Sequence, residues 1–457
     1  MSILIRNANI IRAGSGFAGD LLIRNGKIEK IGKELNSHYN ADRTLDAEGL
    51  LVFPGGVDPH VHMHLPTGAG FSSDDFETGS EAALHGGTTT IIDFVTPEKG
   101  MPLTRALELR KKEAEKSLTD YSFHVSPVEW RETTAEEIKT CVSSGITSFK
   151  VYMAYKDAIG LDDKTLEKVM EAAAGARGMV TVHCETGDEV DALRDQLFKE
   201  GKTSPAAHPV SRPAHTESDA VKKAIAIARK TSCPLYVVHV SAAASLGHIR
   251  RAQQKGQTVF GEVCPHHLLL DDTLYQGSFQ EAAPYVLSPP LRKKNDRRAL
   301  WEALEDQTLE VAATDHCPFF MKQKENGLTD FRKIANGAGG VEHRLALLYT
   351  YGVMKNRISL NRFVEVTSTA PAKIFGLYPQ KGEIAEGSDA DLVIWDPWKK
   401  DVISAKTHYQ RSDINIYEGM QTLGRPRYVI AGGTVVIEKG EMVSRPTGKF
   451  LERRAKA

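Results

Sequence analysis

The sequence predicts an α/β protein whose main body is a (β/α)8 barrel of the TIM type. Eight short apolar and β-branched segments recur along the chain, and most of the gaps between them have helical patterns, such as TRALELRKKEAEKSL and ESDAVKKAIAIARK. Nearly continuous apolar character is typical of parallel strands that are buried on both faces. Eight strands alternating with helices predict a barrel over residues 51–375. The eight segments are LLVFPGGVD, GTTTIIDFV, YSFHVS, ITSFKVYMAY, GMVTVHCE, PLYVVHVS, QTVFGEVCP and LEVAATDHCP.

A doubly wound open sheet is the alternative architecture, because periodicity alone does not distinguish an open parallel sheet from a closed one. No glycine-rich dinucleotide fingerprint follows any of the predicted strands, which leaves the barrel as the better interpretation.

The two ends of the chain have a different pattern. Near the start, LLIRNGKIEKIG places two alternating runs around Asn25-Gly26, which is a strong hairpin signal. Near the end, ADLVIWDP and YVIAGGTVVIEKGEMV repeat this style, with a turn at Gly432-Gly433. We therefore expect residues 1–50 and 376–457 to form one small β-sandwich domain, with a C-terminal tail, beside the barrel of residues 51–375.

The composition of the chain excludes several classes of function. The chain has 457 residues, is 41% hydrophobic and 26% charged, and has a formal net charge of -1, as an ordinary globular protein does. Without a basic run, no nucleic-acid partner is expected, and no apolar run is long enough to cross a membrane. The start lacks a signal-peptide pattern. The five cysteines are scattered and odd in number, so we expect no disulfide framework and a cytoplasmic location.

Histidines cluster in the stretch GGVDPHVHMH, where His60, His62 and His64 occupy every second position. In an extended segment such positions share a face, and barrel enzymes carry their catalytic side chains at the C-terminal ends of the strands. Other predicted strands also carry polar residues at or near that end, namely Lys150, His183, His239 and Asp315.

Imidazole and carboxylate are ligands that suit zinc, manganese or cobalt. A single histidine at a strand end is more often a hydrogen-bonded structural residue. The His-x-His pair together with two further strand-end histidines and an aspartate is hard to reach by chance, so a metal site is predicted. The remaining histidines near these motifs lack that coincidence and are expected to be structural or supporting: His64, His85, His266, His267 and His316.

The sequence resembles the cyclic amidohydrolases, and within them the dihydropyrimidinase/D-hydantoinase family. The resemblance covers essentially the whole chain and includes FPGGVDPHVH, DDFETGSEAALHGGTTTIIDFV, ITSFKVYMAY, CPHHLLL, LSPPLR, ATDHCPF and KGEIAEGSDADLVIWDP. It implies the same barrel with a terminal β-sandwich, a homotetramer or dimer, and two divalent metal ions per chain, usually zinc, bridged by a lysine carboxylated with carbon dioxide.

The resemblance also assigns roles to residues. His60, His62 and Asp315 would bind the more buried metal, His183 and His239 the second, and Lys150, as N6-carboxylysine, would bridge both. Asp315 would act as general base and then acid, and Tyr155 would donate a hydrogen bond to the oxyanion. Main-chain groups of Ser288 and Asn336 would bind the imide edge of the substrate ring.

Substrate preference is inferred from the residues beside the metal motif. His64 stands where dihydroorotases typically carry an arginine, and HLPTG stands where allantoinases typically read NEPG. The expected reaction is therefore hydrolysis of a neutral cyclic imide, a dihydropyrimidine or a 5-substituted hydantoin, to an N-carbamoyl amino acid. An apolar pocket wall is expected from Met63, Leu65, Phe71, Tyr152 and Ile159. Val61 and Gly339 depart from the usual family residues, threonine and proline.

Other functions stay open at this point. An allantoinase-like or dihydroorotase-like enzyme would share the metal site. Some relatives are non-catalytic scaffolds that lack metal ligands, and phosphotriesterase-like barrels use similar metals on a different bond.

Overall fold

An eight-stranded parallel barrel forms the centre of the protein. The computed structural model describes residues 2–35, 39–156 and 158–454. The barrel strands follow one another around the sheet in chain order. The first and last meet where the His62 N–H donates to the His316 carbonyl at 2.8 Å, so the sheet is nearly closed. The strands are Gly56–Val61, Thr88–Val95, Asp120–Val125, Ser148–Tyr152, Met179–His183, Leu235–Val237, Val259–Val263 and Val311–Ala312.

Each of the eight predicted segments overlaps one of these strands, so the predicted barrel is confirmed and the open-sheet alternative is wrong. Side chains such as Val180, Val182 and Val263 are fully buried, because the barrel interior and the outer helices cover the two faces of each strand.

Helices surround the barrel with one apolar face turned inward. Helix Ala214–Thr231 shows the principle, since it buries Ala220, Val221, Ala224 and Ala228 at helical spacing. The α-helices are Phe76–His85, Leu103–Glu113, Thr134–Ser143, Asp163–Gly175, Gly187–Lys199, Ala207–Val210, Ala214–Thr231, Ala243–Gln254, Pro265–Leu269, Phe279–Ala282, Lys294–Glu305, Met321–Lys324, Arg344–Leu348, Leu360–Val364 and Ala370–Ile374. Within the described ranges, no helix has the length and apolar character needed to cross a membrane.

A mixed sheet built from both ends of the chain packs beside the barrel. Both predicted hairpins are present: Arg24 pairs with Lys27 across Asn25-Gly26, and Ala431 pairs with Thr434 across Gly432-Gly433. Both turns use positive φ angles, for example 53° at Asn25 and 77° at Gly26. The strands are Ser2–Ile11, Gly16–Arg24, Lys27–Gly32, Arg43–Asp46, Leu51–Pro54, Leu392–Val402, Gln421–Ala431, Thr434–Glu438 and Glu441–Met442.

The segment predicted as the first barrel strand is divided between the two sheets. Leu51–Pro54 pairs with Ser2–Ile11 in parallel and with Leu392–Val402 in antiparallel orientation, and the barrel strand begins only at Gly56. At Gly55 a Cβ would lie 2.2 Å from Thr89 Oγ1, so only glycine fits where the chain passes between sheets. The terminal sheet therefore contains both parallel and antiparallel strand pairs, while the exact domain boundaries stay a prediction.

The C-terminal tail closes the N-terminal end of the barrel. The Leu451 N–H donates to the Tyr121 carbonyl at 2.7 Å, and the Arg453 side chain enters among Ser122, Ser148 and the Phe123 carbonyl. Arg453 is almost completely buried. The described part of the tail does not cover the opposite, C-terminal end of the barrel, so a site can open to solvent there.

Candidate metal centre

The predicted ligand residues converge at the C-terminal end of the barrel. His60 lies in the first strand, Lys150 in the fourth, and His183 ends the fifth. His62, His239 and Asp315 follow their strands by one to three residues. The four histidines and the lysine are buried, and Asp315 is partly exposed.

Two groups of ligand atoms can be distinguished by distance. The Nε2 atoms of His60 and His62 each lie 3.1 Å from Asp315 Oδ1, and these three atoms are all close enough to hold one ion. In the second group, His183 Nδ1 lies 3.0 Å from His239 Nε2. The rings of His60 and His239 are 5.4 Å apart between centroids, so the two groups are neighbours.

Lys150 lies within electrostatic range of both groups. Its Nζ lies 4.9 Å from the centroid of the Phe94 ring, which packs against His60 and His62. It also lies 5.0 Å from the centroid of the Tyr152 ring, which is next to His183. Burial in turn lowers the pKa of Lys150 to about 8. A lowered pKa makes the neutral amine more available, and only the neutral amine has a lone pair that can react with carbon dioxide.

A buried carboxylate orients the first histidine group. Glu262, in the seventh barrel strand, accepts a hydrogen bond from His60 Nδ1 at 2.7 Å. It also accepts from the His239 main-chain N–H at 3.0 Å and the Tyr236 hydroxyl at 2.9 Å. This arrangement turns His60 Nε2 toward Asp315, and carboxylate–histidine pairs of this kind typically fix the tautomer of metal-binding imidazoles.

A second carboxylate does the same for His183. Glu185 accepts from His183 Nε2 at 2.7 Å and is paired with the buried guanidinium of Arg212. Burial opposes ionisation of Glu185, but Arg212, His183 and Arg292 together outweigh it and lower the pKa to about 2. His183 Nδ1 is left to face His239.

Neither Glu262 nor Glu185 was predicted from the sequence. A signal was present in both cases, because a carboxylate inside an apolar strand (FGEV) or two residues beyond a strand-end histidine (HCE) needs a buried partner.

The donor set fits divalent metal ions. Among the described residues, His60 Nε2 is one of these ligand atoms that is buried without a hydrogen-bond partner. Burial lowers the pKa of His62 to about 4, so this ring is neutral at neutral pH and offers a lone pair. A neutral imidazole beside a carboxylate, as His62 is beside Asp315, offers donors that a transition-metal cation satisfies.

Backbone strain is concentrated at the same end of the barrel. Asp315, His239 and Tyr155 have positive φ angles of 52°, 36° and 60°, a region that side chains other than glycine seldom occupy. Such strain persists where the surrounding structure fixes it, and it clusters at functional sites.

The residues predicted to contact the substrate lie together beside the histidines. The Tyr155 and His183 rings are 5.3 Å apart between centroids. Ser288 Oγ donates to Asn336 Oδ1 at 2.8 Å, and a hydrogen bond with Ser288 moderates the pKa of Tyr155, which burial raises. A donor cluster thus faces the ligand cluster.

The residues predicted to form the pocket wall lie at different distances from the histidine cluster. Tyr152 lies 6.0 Å from the His183 ring, Leu65 packs near Cys317 and Phe319, and Phe71 stacks on His64 at 4.0 Å. Ile159 is half-buried.

Met63 does not line the mouth, so that part of the prediction is wrong. It is fully buried, and its sulfur lies so close to helix Phe76–His85 that a Cβ at Gly79 would be 2.3 Å away. The side chain is directed into the packing between strand and helix.

Three of the histidines expected to be structural have hydrogen-bonded protein partners, among them His267, whose Nε2 donates to the Pro289 carbonyl at 3.0 Å. His64 Nδ1 bonds to Glu113 at 2.6 Å. His316 Nδ1 accepts from the Gly340 N–H at 3.0 Å, and its Nε2 lies 3.1 Å from Asp74. His266 and His267 form a further buried group with Cys264.

Comparison with known proteins places the chain among enzymes of one family. A family model described as "Amidohydrolase family" matches residues 51–436. The D-hydantoinase of Geobacillus stearothermophilus is 44% identical over 99% of this chain and 97% of its own length. The dihydropyrimidinase of Rattus norvegicus is 40% identical over 99% of this chain and 88% of its own.

Solved structures agree. The dihydropyrimidinase from Brevibacillus agri NCHU1002 superposes with a TM-score of 0.98 at 42% identity, covering 100% of both chains. An L-hydantoinase from Arthrobacter aurescens superposes with a TM-score of 0.89 at 32% identity, covering 99% of both.

Fold and ligand cluster together define the class as a metal-dependent hydrolase on a (β/α)8 barrel. The chain belongs to the amidohydrolase family, and within it to the group of dihydropyrimidinases and D-hydantoinases, so the predicted family is confirmed.

The role of Glu262 can be tested by Glu262→Gln. An amide keeps the volume but places an N–H₂ against groups that already donate, so His60 loses its orientation. Metal affinity should fall about 10- to 100-fold, as is typical when such partners of metal ligands are removed. Metal per chain after dialysis against graded chelator measures this. The exposed Glu305→Gln is the control, and equal retention in both variants would contradict the role.

Proposed function

We propose that this chain hydrolyses the cyclic amide (imide) ring of dihydropyrimidines or 5-substituted hydantoins to N-carbamoyl amino acids. The observation that carries the proposal is the meeting of two clusters at one barrel end: the histidine–aspartate ligands, and the Tyr155–Ser288–Asn336 donors beside them. The names of the relatives, D-hydantoinase and dihydropyrimidinase, support the same substrate class.

Two divalent ions per chain are proposed, zinc first, with manganese and cobalt also suited to the ligands. His60, His62 and Asp315 would hold one ion, and His183 and His239 the other. When bound, such metals supply a water of lowered pKa as nucleophile and polarise the carbonyl that is attacked.

Lys150 is proposed to join the two sites as a carbamate. Its neutral amine adds to carbon dioxide and releases one proton, which gives a carboxylate at the end of a long side chain. The buried position of Lys150 among the four histidines supports this role, since an unmodified ammonium could not bind a cation.

Asp315 is proposed to move the proton. Burial opposes ionisation of Asp315, but His60, His62 and His239 together outweigh it and hold the pKa of this carboxyl well below its usual range, so the carboxylate is ionised and can accept a proton. It would take the proton of the attacking water and deliver it to the leaving ring nitrogen, as base and then acid.

Tyr155 is proposed to stabilise the oxyanion that forms when the ring carbonyl is attacked. Burial raises the pKa of the phenol, so the hydroxyl stays protonated and can donate. Main-chain groups of Ser288 and Asn336, joined by their side chains at 2.8 Å, would hold the imide edge and so orient the ring.

A neutral ring is supported by the charges at the mouth. His64, at the position where a dihydroorotase carries an arginine, is bonded to the carboxylate of Glu113. The nearby guanidinium of Arg110 is occupied by Asp93 and Glu113. A carboxylate on the substrate would lose water there without gaining a cation, which is costly.

A cytoplasmic location and a homotetramer, or a dimer, belong to the same proposal. The first is supported by the five cysteines, all free and buried. The second rests on the resemblance to the family and would be measured by light scattering of the purified protein.

A substrate panel tests the proposed function. The metal-loaded enzyme should hydrolyse dihydrouracil and hydantoins, including 5-phenylhydantoin, with a higher kcat/KM than dihydroorotate or allantoin. Product analysis should show the N-carbamoyl amino acid. Faster hydrolysis of dihydroorotate, allantoin or a phosphotriester than of every dihydropyrimidine and hydantoin would refute the assignment.

Lys150→Ala removes the proposed bridge. Bound metal and turnover should both fall strongly, because the two ions lose their shared anion. Added acetate or propionate should restore part of each by replacing the carbamate. Near-normal metal content and turnover without added acid would rule out the bridging role.

Asp315→Asn separates metal binding from proton transfer. The amide keeps an oxygen ligand but cannot accept a proton from water, so kcat should fall about 10²- to 10⁴-fold while most of the metal is retained. Elemental analysis alongside steady-state kinetics measures both, with the exposed Asp306→Asn as control. Unchanged kcat would show that another group moves the proton.

A further inference from the structure

Lys324 is a fully buried lysine that the metal centre does not use. It ends the short helix Met321–Lys324, beyond the eighth barrel strand. Its Nζ donates to three main-chain carbonyls: Ala335 at 2.9 Å, Gly337 at 2.9 Å and Val286 at 3.1 Å. An ammonium has three N–H donors and no acceptor, so each donor has one carbonyl.

The charge of this ammonium is not balanced by an acid. Among the described residues no carboxylate lies within ion-pair distance of Lys324 Nζ, and burial lowers its pKa to about 7. A buried cation held by carbonyls, with the Phe319 ring 5.9 Å away and no carboxylate beside it, is expensive. Neutralisation of an acidic group therefore does not explain why a lysine is buried at this position.

The three carbonyls belong to the two chain segments that present Ser288 and Asn336. We call residues 286–288 and 335–337 the recognition segments. Ala335 and Gly337 flank Asn336, and Val286 lies two residues before Ser288. The segments also contact each other directly, since the Gly337 N–H donates to the Val286 carbonyl at 3.1 Å. Lys324 thus binds both segments from behind.

The hydrogen bond to Ala335 also acts on the group expected to meet the substrate. The Ala335 carbonyl and the Asn336 N–H belong to one peptide unit. A cationic donor on the carbonyl polarises that unit and strengthens the N–H as a donor, because hydrogen bonds in series reinforce one another at low dielectric.

We propose that Lys324 is a positioning residue for substrate recognition, which fixes the recognition segments in register and polarises the Ala335–Asn336 peptide toward the imide edge of the ring. This inference rests on the proposed function for its substrate, but the holding of the two segments is independent of it. Lys324 does not touch the substrate and leaves the metal ligands unaffected.

The test is Lys324→Met in the metal-loaded enzyme, with the exposed Lys322→Met of the same helix as matched control. Loss of binding made equally in ground and transition states raises KM and leaves kcat nearly unchanged. If one or two hydrogen bonds between the recognition segments and the substrate ring are weakened, KM should rise about threefold to tenfold. The rise should be similar for dihydrouracil and 5-phenylhydantoin, because the imide edge is common to both rings and the phenyl group of the second lies elsewhere on its ring.

Hydrogen exchange measured by mass spectrometry tests, without any substrate, whether Lys324 holds the recognition segments in place. Lys324→Met should speed exchange in the recognition segments and leave strand Met179–His183 and the metal content unchanged. If that variant does not fold, Lys324→Gln keeps two N–H donors on a shorter side chain and should show the same changes to a smaller extent.

Each outcome decides the inference. Unchanged exchange in the recognition segments, or faster exchange with unchanged KM, would overturn it. So would loss of bound metal in parallel with activity, because Lys324 would then support the metal centre. A wild-type enzyme that opens no cyclic imide would refute the proposed function, while the exchange experiment would still decide whether Lys324 holds the two segments.

Discussion

Burial of polar ligand atoms at one end of the barrel is the constraint on which the rest of this structure depends. Imidazole nitrogens, a lysine amine and a carboxylate are removed from water there, and each must find a partner or a cation. Glu262 and Glu185 meet part of this need by accepting from His60 and His183. Those carboxylates are themselves buried, so they require Tyr236 and Arg212 in turn. The site is therefore a set of nested hydrogen-bonded layers, and only the innermost nitrogens are left to face a metal.

Buried cations elsewhere in the molecule hold chain segments in place by a different means. Lys324, Arg344 and Arg453 donate to main-chain carbonyls from distant parts of the sequence. Arg344 joins the first and eighth barrel strands through Val57 and Ala312, where the barrel closes. A single long side chain can thus connect segments that no regular hydrogen-bond ladder joins, and Lys324 does so at the mouth of the barrel.

Particular residues show how far sequence reasoning reaches. The strand-end histidines were predictable because parallel strands in a barrel point the same way, so their C-terminal ends must meet. Met63 was misplaced because the alternation of faces ends with the strand: the chain leaves extended geometry after His62, and His64 already has a φ of 48°. Leu51–Pro54 was assigned to the barrel because an apolar run does not reveal which of two adjacent sheets it will join. Glu262 was passed over since a residue inside a strand shows its partner only when the neighbouring strands are known.

The sequence by itself determined the alternation of strands and helices, the two terminal hairpins, and the identity of the chemical groups at the strand ends, because these depend on local periodicity, turn chemistry and residue type. Only the tertiary structure decided which nitrogen of each histidine faces the site, which carboxylates orient it, and how Lys324 and the C-terminal tail fix opposite ends of the barrel. Those features join residues up to hundreds of positions apart, as Arg453 and Ser148 are. Their partners are set by three-dimensional packing, which no local pattern in the chain encodes.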